Sequence, residues 1–265
     1  MQKAVGATRQ MLALEELSGG NTAVHRLHPL AKMLVTFLYV IAVVSVNRMD
    51  YITLSVFFFY PAVLMAVAEI PARLMISRTM IALPFVLLAG ISNILFEPSI
   101  YVTLLGVPVS QGVVSVIVLV EKTLLTVSAV LILAATTKTT QVFTYLRRLG
   151  LPKVMITVLM LCLRYLALLL GEADRMTKAY HVRAQNPKGI RMQDMGSFLG
   201  QLLLRSFDRA ERVYKAMKLR GFDGNFSTPD DGKVGVASIC YALAVSSLIL
   251  FFRLLPLPAL MERLF

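Results

Sequence analysis

The stretch Gly112–Ala135 reads GVVSVIVLVEKTLLTVSAVLILAA and holds only two charges, Glu121 and Lys122, among aliphatic residues. As a helix rising 1.5 Å per residue it is about 36 Å long, enough to cross a hydrocarbon core of roughly 30 Å. Outward from it, Leu30–Val46, Tyr51–Ala68, Thr79–Phe96, Val154–Leu170 and Val234–Phe252 are further apolar runs. The whole chain of 265 residues is 57% hydrophobic and 16% charged. A soluble domain carries about a quarter charged residues, so this chain has too little polar surface to cover a water-facing globule. The reading is an all-α integral membrane protein.

The charge balance fits that class. Lys plus Arg number 27 against 15 Asp plus Glu, a net of +12. Cytoplasmic loops of membrane proteins collect Lys and Arg, whereas nucleic-acid binding would need basic patches interleaved with aromatics, and no Trp occurs. Nucleic acid is therefore not expected as a partner; the lipid bilayer is. Cys162 and Cys240 lie within apolar runs and read as small hydrophobes, without a disulfide or a Cys metal site. Glu15 and Glu16 interrupt the N-terminal stretch, so no signal peptide is expected there.

Loop charges set the expected topology. Lys3, Arg9 and Arg26 precede the first run, and Arg73 and Arg78 separate the second from the third. Glu97–Gln111 has no Lys or Arg, while Lys138, Arg147, Arg148 and Lys153 follow the fourth run. The pattern places the N-terminus in the cytoplasm. If Val154–Leu170 crossed the membrane, the twelve basic residues of Gly171–Lys233 would face outward, and that run carries Arg164. It is expected instead to stay on the cytoplasmic side, buried against the bundle. The resulting organisation is an N-terminal cytoplasmic segment 1–29, four transmembrane helices in 30–135, a cytoplasmic insert 136–233, and a fifth transmembrane helix with the C-terminus in 234–265.

Within the insert, Gly150-Leu151-Pro152 and Gln185-Asn186-Pro187-Lys188-Gly189 are the breakers. They delimit one short helix, Thr139–Leu149, and two long ones, about 153–184 and 190–221. On the last, Met195, Leu199, Leu202, Leu203, Ser206, Ala210, Val213, Tyr214 and Met217 form one stripe, expected to be a packed face with Leu203 in it, opposite Arg205, Asp208, Glu211, Arg212, Lys215 and Lys218. Such a helix, roughly 45 Å long, suits a lever.

Catalytic apparatus is missing. There is no Gly-x4-Gly-Lys-Ser/Thr loop for ATP and no His-Glu-x-x-His or paired Asp motif for metal-assisted hydrolysis. His25 and His28 form an H-x-x-H before the first run, but two imidazoles without a third ligand more often sit at the headgroup level. No resident cofactor or metal is expected. Glu121 and Lys122, inside a span, admit two readings: a structural polar contact, which is favoured, or part of an ion path. The second would make the chain a stand-alone ion-coupled secondary transporter.

A repeated element is more informative. The two long insert helices end alike, in Lys178-Ala179-Tyr180-His181-Val182-Arg183-Ala184 and Lys215-Ala216-Met217-Lys218-Leu219-Arg220-Gly221. An arginine in a last turn favours the helix dipole and offers a planar fork of donors to an acidic partner. C-capping alone, with Gly221 as cap residue, would explain either copy. Two copies on neighbouring levers favour docking.

These residues, with Leu146-Arg147-Arg148-Leu149-Gly150-Leu151-Pro152, Arg164-Tyr165 and Arg205–Gly224, resemble the T components of energy-coupling factor ABC transporters, the CbiQ/EcfT family. The closing Arg220-Gly221-Phe222-Asp223-Gly224 is similar to the cobalt and nickel branch. The resemblance implies a multi-pass protein of a prokaryotic cell membrane that is not itself an enzyme. It implies partnership with two ATP-binding cassette ATPase subunits and one membrane substrate-binding (S) subunit. ATPase docking maps onto Val182, Arg183 and Ala184 and onto Leu219, Arg220 and Gly221. Family members usually carry small residues on both sides of the arginine, and Val182 and Leu219 depart from that. Support of the coupling helices maps onto Arg164, Asp208, Glu211, Arg212 and Ala216. His28-Pro29-Leu30-Ala31-Lys32 departs from the family's Asp-Pro-Arg-x-Lys, and no role is carried over to it.

The topology is testable by thiol labelling. Single cysteines at Gly189 and Phe265, in a background without Cys162 and Cys240, should be inaccessible and accessible, respectively, to an impermeant reagent on intact cells. Labelling at 189 from outside would contradict the five-span arrangement.

Overall fold

A computed structural model describes residues 18–47, 50–96, 100–104, 107–148, 150–184, 189–224 and 234–254. The expectations for segment 1–17, for Gln185–Lys188, for Lys233 and for the C-terminal residues after 254 lie outside these. The elements are α1 (Pro29–Ser45), α2 (Tyr51–Phe57), α3 (Phe59–Val67), α4 (Ala72–Thr79), α5 (Leu83–Phe96), β1 (Ile100–Leu104), β2 (Val107–Ser110), α6 (Gln111–Thr136), α7 (Thr139–Arg148), α8 (Lys153–Ala184), α9 (Met192–Leu219) and α10 (Val236–Leu254). The protein is an all-α membrane protein. One small antiparallel hairpin, pairing Leu104 with Val107 and Ile100 with Ser110, connects α5 to α6.

The chain divides into two compact units, Glu15–Lys138 with Asp231–Phe265, and Met1–Leu14 with Thr139–Asp230. In the first, Val35, Tyr39, Ala42, Val43 and Val46 of α1 recur at helical spacing and meet Leu54, Phe57, Val118, Leu125, Ala129 and Ile249 in one core. The opposite face of α1 is equally apolar but bare: Leu34, Phe37, Ile41 and Val44 are all more than half exposed. Helices apolar on both the packed and the open face belong in lipid. Three described helices, α6, α8 and α10, are long and apolar enough to cross a membrane, and α1, the pair α2–α3 over Thr53–Val67, and Leu83–Ser92 are shorter apolar helical segments.

Two of the expected continuous runs are broken, each by a proline. Tyr51–Ala68 splits into α2 and α3 because Pro61 has no N–H to give the carbonyl of Phe57, four residues earlier. That carbonyl would be orphaned in a medium without water. The Tyr39 hydroxyl donates to it instead, at 2.9 Å, with Tyr39 fully buried. The Tyr39 ring stacks at 4.5 Å on Tyr60, which hydrogen-bonds Tyr241 and Thr36. Likewise Thr79–Phe96 breaks at a turn over Met80–Ala82, and α5 starts with Pro84 in its first turn, where a missing N–H removes no ladder bond.

The ends of α1 and α6 are tied reciprocally. Lys32 of α1 is 3% exposed and its Nζ donates to the carbonyl of Thr136, the last residue of α6, at 2.6 Å. Lys122 of α6 donates back to Val46 at 2.5 Å and Val44 at 3.1 Å, at the C-terminus of α1. Arg253 of α10 reaches the neighbouring Ser45 carbonyl at 2.9 Å. The last carbonyls of a helix have no donor of their own and carry the negative end of its dipole, so cations there answer both needs.

The tyrosine–proline arrangement makes a sharp prediction. Tyr39→Phe should destabilise the membrane unit by about 1–3 kcal/mol, the cost of an unmet buried acceptor. Adding Pro61→Ala restores an N–H at the right position and should recover part of the loss. Thermal unfolding of the two variants in detergent measures both effects; an additive double variant would contradict the assignment.

Candidate functional site: two helices that end in arginine

The second unit is built from α7, α8 and α9. Gly150, with φ +99°, turns the chain after α7, and the Pro152 carbonyl accepts the first bonds of α8 from Met155 (3.0 Å) and Ile156 (3.3 Å). The helix then runs unbroken for 32 residues to Ala184. Asp194, in the first turn of α9, favours that helix's positive end and also accepts the Tyr180 hydroxyl of α8 at 2.6 Å. At the other end of α9, Phe222 N–H bonds Met217 O at 3.0 Å and Gly221 N–H bonds Lys218 O at 3.1 Å, with Gly221 at φ +77°. This is a Schellman turn, and Gly221 is its left-handed residue, the cap that the sequence assigns.

Three contacts fix the direction of the pair. Tyr180 meets Asp194, Glu172 meets Arg205, and Thr157 Oγ1 donates to the Gly224 carbonyl at 3.4 Å. Position falls along α8 as it rises along α9, so the helices are antiparallel. Arg183 therefore stands at one end of the pair and Arg220 at the other, four residues before the Gly224 that Thr157 contacts. The 26 residues of helix between Thr157 and Arg183 put the two motifs on the order of 40 Å apart. Val182 is 82% and Leu219 89% exposed; Arg183, Arg220 and Gly221 are exposed and Ala184 half-buried. The six sequence-assigned docking residues thus form two separate sites.

Of the residues assigned to support, Asp208 and Arg212 line a cleft of about 200 Å³ between α8 and α9, with Leu169, Glu172, Arg205 and Arg209. Glu211 pairs with Lys215 at 2.7 Å along the helix, and Arg164 and Ala216 are exposed. The sequence did not single out Glu172, Tyr180 or Asp194, the groups that join the two helices. Glu172 accepts from Arg175 at 2.7 Å and from Arg205. Those hydrogen bonds, Arg175 first, hold its carboxyl below the ordinary carboxylate range. The only signal in the sequence was the spacing of Glu172 and Arg175, three apart on one helix face.

One expectation needs correction. The stripe of α9 is not packed throughout: Met195, Leu202, Ser206, Val213 and Met217 are half-buried, whereas Leu199, Leu203, Ala210 and Tyr214 are exposed, Leu203 to 57%. One neighbouring helix covers a narrower strip than the apolar face offers, and the rest is left open. Within its own unit the apolar part of α8 is likewise uncovered. Val154 (66%), Met155 (51%) and Val158 (50%) are open, and 11% of the helix's most apolar 18-residue window is buried by the chain. Among the described residues of this unit only Tyr145, Ile156, Thr157 and Thr177 are buried.

The other candidates have structural tasks. Lys122 holds the end of α1, and Glu121 accepts a bond from Ser55 at 3.3 Å. That geometry is the polar contact within the bundle that the sequence favours over an ion path. In the H-x-x-H, His25 Nδ1 lies 2.7 Å from Thr22 Oγ1, and the backbone N–H of His28, not its imidazole, donates to Ser238 Oγ at 2.9 Å. Among the described residues no group of three or more His, Cys, Asp or Glu is gathered as metal ligands would be.

Fold and site together define a multi-pass helical membrane protein that carries a separate unit of paired helices ending in exposed arginines. The family described as CbiQ, cobalt transport protein, matches residues 20–229, and the chain belongs to it. The chain is 25% identical over 147 residues to the uncharacterized protein MJ1571 of Methanocaldococcus jannaschii, covering 54% of this chain and 50% of that one. It thus spans about half the length of that relative. A second protein of the same organism, MJ1089, is 27% identical over 210 residues, 74% of this chain and 76% of its own. The energy-coupling factor transporter transmembrane protein EcfT of Ruminiclostridium cellulolyticum is 26% identical over 222 residues, 78% and 82% of the two chains.

The α8–α9 tie predicts a selective response to mutation. Val213→Asp, on the strip facing α8, should open the pair to protease, whereas Leu203→Asp should leave it as resistant as wild type. Acid should loosen it too. Folding lowers the Glu172 pKa, so its contribution is complete above the unfolded value of about 4.3 and is lost as pH falls through the lowered value. Protease resistance should therefore stay constant from neutral pH to about pH 5 and decline at lower pH, with a smaller decline in Glu172→Gln, which has no carboxylate at that position to protonate.

Proposed function

We propose that the protein is the transmembrane coupling subunit of an energy-coupling factor importer. It transmits ATP-driven motion from two ATPase subunits to a membrane substrate-binding subunit, and the transported substrate is a cobalt or nickel ion. The observation that carries this reading is the placement of Arg183 and Arg220 at opposite ends of one antiparallel helix pair. Two docking points about 40 Å apart suit two copies of a partner better than one. The chain supplies no nucleotide loop of its own, so hydrolysis belongs to the partners. The family's description as a cobalt transport protein supports cobalt, and the EcfT relative supports the energy-coupling factor setting.

In this reading residues 136–233 form a cytoplasmic coupling domain set between the membrane helices of 30–135 and the last helix of 234–265. The N-terminus is cytoplasmic as well. Arg183 and Arg220 each enter a separate ATPase, flanked by Val182 and Ala184 and by Leu219 and Gly221. Gly221 also has a backbone reason to be glycine, since a side chain at φ +77° is strained. Arg164, Asp208, Glu211, Arg212 and Ala216 support the levers from the exposed surface and the interhelix cleft.

Truncating a desolvated charged anchor costs about 2–5 kcal/mol in binding, or roughly 30- to 4,000-fold in affinity. Arg183→Ala and Arg220→Ala should each weaken ATPase association and abolish transport while the chain still inserts in the membrane. Lysine should rescue poorly, because a point charge does not reproduce a planar fork of donors. Pull-down from membranes tests this. Recovery of both ATPase subunits at wild-type levels by the double alanine variant would refute arginine docking.

A further inference from the structure

The first turn of α1 touches the chain on both sides of the inserted unit. On the way out, α6 ends at Thr136, Thr137 is extended (φ −135°, ψ 124°), and Thr139 opens the second unit. Lys32 Nζ holds the Thr136 carbonyl at 2.6 Å, across 104 positions of sequence. On the return, α10 begins at Val236, and its Ser238 Oγ accepts the His28 N–H at 2.9 Å, across 210 positions. All four residues are buried: His28 is 6% exposed, Lys32 3%, Thr136 2% and Ser238 5%.

A helix end is where a pull on the adjoining chain would first be lost to fraying. Thr136 O has no N–H partner within α6, and an ammonium on that carbonyl is charge-assisted and aligned with the helix dipole. The His28 bond brings the start of α10 to the same turn. We propose that this turn is a fixed joint through which displacement of the inserted unit is delivered to the membrane helices, with Lys32 as its positioning residue. The existence of the joint stands on these contacts alone; its role in delivering motion rests on the coupling function proposed above.

Two measurements separate those claims. Hydrogen exchange on the full chain in detergent reads the joint. Lys32→Met should speed exchange of residues 133–137 about tenfold or more, Lys32→Arg should stay near wild type, and Ser238→Ala should act in the same way at the start of α10. Wild-type exchange in Lys32→Met would overturn the joint. The second measurement uses the chain co-purified with its ATPase subunits, in liposomes, with a bimane probe on a cysteine replacing the exposed Phe37 of α1 in a background without Cys162 and Cys240. ATP should change the probe's fluorescence in the wild type. In Lys32→Met the change should fall at least fivefold, although the ATPases remain bound and hydrolyse ATP at rates within twofold of wild type. A full-sized change in Lys32→Met, or none in a wild-type complex with bound ATPases, would overturn delivery through this turn. A wild-type chain that recruits no ATPase would refute the coupling function and delivery with it, while exchange would still decide whether the joint exists.

Discussion

Backbone carbonyls that lose their helical partner inside a membrane must find another, and the fold of the first unit is arranged around meeting that demand. Lys32 answers the end of α6, Lys122 and Arg253 answer the end of α1, and Tyr39 answers the carbonyl that Pro61 strands. In water each of these carbonyls could turn to solvent at little cost. In hydrocarbon each orphan costs several kcal/mol, so side chains that are themselves expensive to bury become worth placing there. Lys32, Lys122 and Arg253 are placed for this reason, and the two lysines also tie α1 to α6 at both ends of α1.

The second unit meets the opposite condition. Its helices have long apolar faces, yet four described side chains are buried in it. The pair is held by polar ties: a tyrosine on an aspartate, a glutamate between two arginines, a threonine on a carbonyl. Contacts of this kind, made at exposed or half-exposed positions, contribute modestly to stability. They orient the helices without locking them, so the pair stands as two helices tied at a few points, without a core of its own.

How much of this was legible in the sequence follows from the same physics. Helix positions were readable, because hydropathy and breakers act locally: α8 runs Lys153–Ala184 and α9 Met192–Leu219, close to the spans set by Pro152, Gly189 and Gly221. The cap at Gly221 was readable for the same reason. Pro61 and Pro84 are visible in the sequence, as is the carbonyl that Pro61 strands, but an apolar run does not tell whether a proline bends a span or divides it. The partners of Lys32 and Lys122 were hidden because they are backbone atoms 104 and about 76 positions away, with no side-chain signature. Burial of Leu203 was misjudged because periodicity tells which residues share a face and cannot tell how much of that face a neighbour covers.

The antiparallel arrangement of α8 and α9 turns the repeated arginine motif into a spatial argument. Had the helices been parallel, Arg183 and Arg220 would lie side by side, and a single acidic partner could engage both. Antiparallel packing sets them at opposite ends, and each end is shaped differently. The α9 end is a tight Schellman turn that leaves Arg220 on its rim, while Arg183 sits within the last helical turn of α8, next to the Tyr180–Asp194 tie. Two partners bound there would meet similar arginines in unlike surroundings. A displacement at one end would pass along a helix of about 40 Å with few buried contacts to absorb it. The asymmetry of the two ends originates in sequence, in a glycine following one arginine and an alanine following the other.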